Sequence, residues 1–109
     1  MSEAPRKGKE AVVAVVAIFG GPGITQELYE ESIRKLTGGK SRVESPSDWP
    51  IPGLLIHIAG QGPSGFRVVD GWESEDAFER FGGVIGPILQ DLGVTVQPEV
   101  YPAHTLVTA

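Results

Sequence analysis

The pattern of apolar and polar positions predicts a strand followed by a helix in the first third of the chain. Residues 11–19 are apolar at every position, which is typical of a central strand covered on both faces. After a glycine-rich turn at 20–23, Thr25 suits a helix N-cap, and apolar residues recur at helical spacing from 28 to 36. The glycine pair at 38–39 predicts the end of that helix.

A hairpin of two strands is predicted beyond a long, proline-rich connection at 38–52. Residues 53–59 and 66–72 carry the aliphatic and aromatic side chains of strands, and the glycine-rich segment 60–65 between them suits a hairpin turn. That segment also matches the nucleotide-binding pattern G-x-G-x-x-G, which requires a helix directly after it. A strand follows instead, so we interpret the segment as a turn and expect no cofactor.

A second helix and a last strand complete the pattern. Ser74 suits an N-cap, and an apolar stripe follows over residues 77–92. Pro87 and the glycines just before it predict a break or kink midway along this helix. The last strand lies within 94–107, where two prolines are typical of a sheet edge.

The order strand-helix-strand-strand-helix-strand is that of the ferredoxin-like α+β fold. In this βαββαβ fold a four-stranded antiparallel sheet carries both helices on one face. We expect one such domain over 11–109, preceded by a disordered tail of residues 1–10 with polar, unpatterned composition. Because the first three strands are apolar on both faces, we also expect a homodimer in which a second copy covers the face without helices.

Composition and charge exclude several classes of protein. The chain of 109 residues contains no Cys and no Asn, which excludes disulfides, cysteine metal sites and N-glycosylation. Beyond residues 1–10 the chain carries six basic and twelve acidic side chains, which argues against nucleic acid and against an anionic membrane surface. The apolar run at 11–19 is too short for a membrane span and lacks a signal-peptide cleavage site, so we expect a cytoplasmic protein.

The sequence resembles the small proteins of the dimeric α+β barrel superfamily, which includes the antibiotic-biosynthesis-monooxygenase-like group. Four parts carry the resemblance: GLLIHIAG at 53–60, RVVDGWES at 67–74 with Phe78 and Phe81, the Gly86-Pro87 step, and YPAH at 101–104. It covers nearly all of 11–108 and implies homodimers with an apolar pocket between sheet and helices. Members include cofactor-free monooxygenases acting on polyketide-like aromatics, lactone isomerases and haem-degrading enzymes. The monooxygenases and haem-degrading members typically use a pocket Asn, which this chain lacks.

Two histidines are candidate catalytic residues. His57 lies in the second predicted strand and His104 in the last, each among apolar neighbours, and burial would favour the neutral imidazole that suits a general base or a hydrogen bond to a substrate carbonyl. The alternative is a hydrogen-bonded histidine of the core or interface. The second and fourth strands are usually the sheet edges, so the two rings need not share a pocket. We expect no metal site, because no third ligand stands at a suitable spacing.

Asp70 is the third candidate catalytic residue. It lies on the strand face that carries Phe66, Val68 and Trp72, where a carboxylate needs a partner. Arg67 points to the opposite face, so another group must supply that partner. A structural ion pair or backbone contact is the alternative to catalysis.

Six aromatic residues are candidates for the wall of a substrate pocket: Tyr29, Trp49, Trp72, Phe78, Phe81 and Tyr101. Core packing explains all of them except Trp49 equally well. Trp49 differs from the others because it lies in the long connection, where a lid or a dimer contact is an alternative.

Three functions fit these observations. The first is a cofactor-independent enzyme, oxygenase or isomerase/cyclase, that acts on a small, largely apolar molecule such as an aromatic or polyketide-like one, with His57 as base or hydrogen-bond donor. The second is a small-molecule binding protein without turnover. The third is a structural dimer whose pocket is filled by side chains. An empty pocket of about 300 Å³ or more would separate the first two from the third.

Overall fold

A computed structural model describes residues 13–109 of the chain. The predicted disordered tail of residues 1–10 and the first two positions of the first predicted strand lie outside the described residues. No helix among those described is long and apolar enough to cross a membrane.

The elements follow the predicted order, and the strands form one antiparallel sheet. They are β1 (Val15–Gly21), α1 (Gln26–Thr37), a short 3-10 turn (Pro46–Asp48), β2 (Leu54–Gly62), β3 (Gly65–Trp72), α2 (Glu75–Asp91) and β4 (Glu99–Pro102). The strand order across the sheet is β2-β3-β1-β4, which makes β1 central as expected. The predicted ferredoxin-like α+β fold is confirmed.

Both helices cover the same face of the sheet. One buried cluster joins residues of β1 and β3 to residues of both helices and of the long connection: Val15, Ala17, Ile33, Leu36, Trp49, Trp72 and Ala77. Each helix begins at its predicted cap. The side chains of Thr25 and Ser74 accept hydrogen bonds from the backbone N–H groups of Leu28 and Ala77, both at 3.1 Å. Gly38 ends α1 in the left-handed conformation.

Of the break or kink predicted midway along the second helix, the break is wrong, since α2 continues through Pro87. Apolar side chains on both sides of this proline, among them Phe81 and Ile88, pack against the core cluster. Tertiary packing of this kind supplies most of a helix's stability and holds both halves together.

The hairpin turn and the last strand are both shorter than predicted. β2 and β3 continue to the pair Gly62 and Gly65, which leaves only two residues in the turn. β4 ends at Pro102, because that residue pairs with Val15, the first residue of β1. His104 therefore lies beyond the strand in which we expected it, and it is exposed.

The second face of the sheet is apolar and carries no helix. Ile18, Val69 and Ile58 lie side by side across three strands on this face. Ile58 is 57% exposed and Val69 37%, and Tyr101 of the edge strand is 45% exposed. The face therefore has the composition of a core but lies open in the single chain.

Candidate active site

A cavity of about 680 Å³ lies between the sheet and the two helices. Most of its wall is apolar, with Leu28 and Phe81 among the lining residues. Exposed residues of the second half of α2 and of the segment 95–98 surround its mouth. The volume is well above the roughly 300 Å³ at which ligand pockets begin.

Three polar side chains from three different elements form a hydrogen-bonded chain on the cavity wall. The hydroxyl Oη of Tyr29, on α1, lies 2.6 Å from Nε2 of His57, on β2. Nδ1 of the same ring lies 2.7 Å from Oδ1 of Asp70, on β3. All three residues line the cavity. Both nitrogens of the imidazole are thus engaged within the protein.

The sheet register brings His57 and Asp70 together. The two are direct cross-strand neighbours in the β2–β3 pair, so their side chains leave the sheet on the same face. The side chain of His57 is 11% exposed and that of Asp70 8%. Tyr29 reaches the pair from the first turns of α1, with its ring packed on Phe66 at a centroid distance of 5.0 Å.

For an ionised Asp70 and a neutral His57, the donor and acceptor capacities of the three groups fix the protons along this chain. An ionised carboxylate only accepts hydrogen bonds, so Asp70 takes the N–H of His57 Nδ1. In the neutral ring Nε2 is then an acceptor, and it receives the O–H of Tyr29. The Asp70 carboxylate thus accepts from Nδ1–H of His57, and Nε2 of His57 accepts from the Tyr29 hydroxyl.

Tyr29 keeps its proton well above neutral pH. Burial first, and then the negative charge of Asp70, raise the pKa of the Tyr29 hydroxyl to about 12, with Glu30 raising it further and Arg42 lowering it. The group is therefore a phenol, which can donate its proton only when it receives another.

The three predicted catalytic residues are not all in one place. His57 and Asp70 meet, and the partner that Asp70 was expected to need is His57. His104 does not line the cavity and lies exposed after β4.

Four of the six predicted aromatic residues line the cavity: Tyr29, Trp49, Phe78 and Phe81. Trp72 is fully buried beneath the wall, with its ring 4.8 Å from that of Phe81. Tyr101 projects from the opposite face of the sheet. Trp49 is only 9% exposed and lies 4.9 Å from the His57 ring, so it forms wall and core instead of projecting from its loop.

Sequence reasoning missed the glycines of the cavity wall. Gly82 and Gly86 stand four residues apart on the same face of α2, and both line the cavity. A Cβ at either position would meet no protein atom within 4 Å, so the missing side chains widen the cavity. The i, i+4 spacing was visible in the sequence, but we interpreted these glycines only as helix breakers.

The described residues contain no group of three or more His, Cys, Asp or Glu side chains placed to hold a metal ion. The hydrogen-bonded chain of Tyr29, His57 and Asp70 on the cavity wall can hold and move a proton.

Comparison with known proteins adds information about the fold. No protein-family model and no curated protein sequence matches the chain. A similar fold is found in the crystal structure of SnoaB, a cofactor-independent oxygenase from Streptomyces nogalater, in a mutant with an Asn replaced by Ala. The TM-score is 0.51 and the identity 16%, over 90% of this chain and 96% of that chain. At this level of identity the likeness establishes the fold alone. The chain therefore shares the ferredoxin-like α+β fold of that protein, as the sequence predicted.

Proposed function

We propose that this protein is a cofactor-independent enzyme that removes a proton from a small, largely apolar molecule bound in the cavity. The observation that carries this proposal is the buried pair of Asp70 and His57 on the wall of an otherwise apolar cavity.

A buried carboxylate and imidazole need a reason to be there. Burial of charge is unfavourable, and two apolar residues would fill the same cross-strand position without that penalty. Carboxylate–imidazole pairs in clefts are suited to proton transfer, because the carboxylate orients the ring and stabilises the imidazolium that forms. This supports a catalytic use of the pair.

Proton removal is a step shared by the two enzyme classes that the sequence left open. A phenol, an enol or a carbon acid next to a carbonyl becomes an anion when it loses its proton. That anion can rearrange or close a ring, as in an isomerase or cyclase, or it can react with molecular oxygen, as in an oxygenase. SnoaB is a cofactor-independent oxygenase, so chemistry without a cofactor is compatible with this fold. This chain has no Asn and must use other polar groups.

Hydrogen–deuterium exchange into 2-tetralone, an aromatic ketone with acidic C–H groups, tests the proposal. Proton NMR in deuterated buffer should show exchange faster with the native protein than in buffer alone. His57→Phe should abolish the difference, because it keeps a ring but removes both nitrogens, whereas the exposed control His104→Phe should not. Equal exchange with the native protein and His57→Phe would contradict the proposal. Oxygen uptake measured on the same samples separates oxygenase from isomerase chemistry.

One observation favours a second candidate, a binding protein without turnover. Both nitrogens of His57 are satisfied within the protein, as they would be in a side chain that only holds Tyr29 in place. In that case 2-tetralone would bind, with quenching of tryptophan fluorescence, but would not exchange.

We also propose that two copies associate through the face of the sheet without helices. Ile58, Val69 and Tyr101 expose a contiguous apolar surface that soluble monomers rarely carry. A second copy would present the same surface, as a two-fold interface requires.

A further inference from the structure

We infer that Tyr29 is the residue that touches the substrate, and that His57 acts one step behind it as a positioning residue that receives the Tyr29 proton. This inference rests on the proposed function and assigns the roles within its site.

The first argument is that both nitrogens of the His57 imidazole already have hydrogen-bond partners. Nε2 of His57, the nitrogen that would accept a substrate proton, already receives the Tyr29 hydroxyl at 2.6 Å. The opposite nitrogen is bound to Asp70 at 2.7 Å. A substrate could reach Nε2 only by displacing the phenol.

The second argument is that the phenol is held where it lies. The Tyr29 and His57 rings lie nearly parallel and end to end, with centroids 6.0 Å apart and an interplanar angle of 17°, which aligns the hydroxyl with Nε2. The Tyr29 ring also packs on Phe66, and its helix begins at the Thr25 cap only four residues earlier. Displacing the ring would break these contacts and the hydrogen bond together.

The third argument is the bonding capacity that remains on the Tyr29 oxygen. A hydroxyl has one donor and two acceptor lone pairs. The hydrogen points to His57, so the lone pairs are available to a donor in the cavity that Tyr29 lines. An acidic hydroxyl of a ligand can bind there directly.

Proton transfer along this chain balances without any further reactant. The O–H bond of the ligand breaks and its proton joins Oη of Tyr29, while the proton of Tyr29 moves to Nε2 of His57. The ligand becomes an anion, Tyr29 is again a phenol that donates to it, and His57 becomes an imidazolium beside the Asp70 carboxylate. The reverse sequence returns the proton to the product.

Binding and ionisation of 4-nitrophenol test this assignment at equilibrium. Quenching of tryptophan fluorescence reports binding, because Trp49 forms part of the cavity wall. The visible absorbance of nitrophenolate reports ionisation. On the native protein we expect the ratio of phenolate to phenol at a fixed, mildly acidic pH to be about tenfold above that of free nitrophenol, which is one pKa unit.

Tyr29→Phe should bind nitrophenol with a dissociation constant within about threefold of the native one and lose the extra ionisation. His57→Gln should lose it as well, because a glutamine oxygen can accept the Tyr29 hydrogen bond but cannot hold the proton. Tyr101→Phe alters the only other tyrosine, on the opposite face of the sheet, and should behave as the native protein.

The competing assignment makes the opposite prediction. If His57 is the direct acceptor, Tyr29→Phe frees Nε2, and the extra ionisation persists or increases. That result would overturn the inference and leave the proposed function standing. Absence of nitrophenol binding to the native protein, or unchanged ionisation in His57→Gln, would instead overturn the proposed function.

A second measurement needs no amino-acid substitution within the cavity. In the Tyr101→Phe protein, biosynthetic 3-fluorotyrosine places one fluorine label, at Tyr29. Its fluorine NMR signal should shift when nitrophenol binds, and an unchanged signal at saturation would overturn the inference.

Discussion

His57 and Asp70 are direct neighbours across the β2–β3 pair, and the register that pairs their backbones also places Nδ1 2.7 Å from Oδ1. Because two adjacent strands set this contact, the register orients the imidazole. Its other nitrogen then faces Tyr29. One cross-strand pair thus determines the direction in which a proton can travel through the site.

The first prediction concerns the direction of the Asp70 hydrogen bond. Asp70→Asn replaces an acceptor with an amide that can donate to Nδ1, which moves the ring proton to Nε2. The ring then no longer accepts from Tyr29. We expect exchange into 2-tetralone to fall by about 100-fold, the lower end of what a positioned acid–base group contributes.

The fold should survive this change, because the amide can still hydrogen bond to the ring. Circular dichroism and the melting temperature check this point. Asp91→Asn, at the exposed end of α2, is the matched control. Exchange into 2-tetralone at the native rate in Asp70→Asn would show that the carboxylate has only a structural role.

The second prediction concerns stability at high pH. The pKa of Tyr29 is raised from 10.0 to about 12 in the folded protein, so folding favours the protonated phenol. This contribution is fully present below pH 10 and is lost as the pH rises through 12. We expect the free energy of unfolding to fall across this window, on the order of 1 kcal/mol after allowance for partial exposure.

Urea unfolding at several pH values between 9 and 12 measures this loss. The fall in unfolding free energy that is due to the Tyr29 hydroxyl should disappear in Tyr29→Phe, whereas Tyr101→Phe should retain it. Identical pH dependence in the native protein and in Tyr29→Phe would contradict the assignment.

The third prediction uses the glycines of α2 to test whether the cavity binds ligand. Alanine should raise helix stability by about 0.5–1 kcal/mol at Gly82 and Gly83, because glycine is unfavourable within helices and the added Cβ atoms have room. At Gly86 we expect no such gain, because a Cβ before Pro87 disfavours the helical backbone. Ligand binding should separate the three positions. Only Gly82 and Gly86 line the cavity, so Gly82→Ala and Gly86→Ala should weaken nitrophenol binding and Gly83→Ala should not.

Melting temperatures and fluorescence titrations on the same three variants provide both readouts. Equal affinity in all three variants would place the ligand away from α2.

The fourth prediction concerns the apolar face of the sheet. Ile58→Lys places a charge on the proposed interface, where a second copy would have to bury it. Light scattering should show a dimer mass for the native protein and a monomer mass for this variant. Val84→Lys changes an exposed apolar residue on α2 instead and should leave the dimer intact. A native protein of monomer mass at micromolar concentration would refute the interface.

Local patterns in the sequence predicted most of the fold. Thr25 and Ser74 marked the helix starts because an N-cap is a short-range interaction. The same local reasoning was wrong at Pro87, where packing of the helix on the core outweighs the lost hydrogen bond. The burial of Trp49 was also missed, because the connection around it has no periodicity to indicate a face.

The site was predicted only in part. Alternation along β3 placed Asp70 on the covered face and required a partner for it. The identity of that partner depended on the strand register, and the contact between Tyr29 and His57 depended on how α1 docks on the sheet. Neither contact is local, because His57 and Asp70 are 13 positions apart in sequence and Tyr29 and His57 are 28 apart. Tyr29 was therefore predicted as an aromatic wall residue and not as part of a proton pathway.

Nitrogen-15 NMR of His57 during titration with 4-nitrophenol tests the central claim most directly. In the His104→Phe protein, His57 is the only histidine, so its two ring nitrogens can be assigned without ambiguity. We predict that Nε2 changes from an unprotonated to a protonated nitrogen in proportion to the nitrophenolate formed, while Nδ1 remains protonated. Nitrogen signals that stay unchanged at saturating nitrophenol would contradict the account.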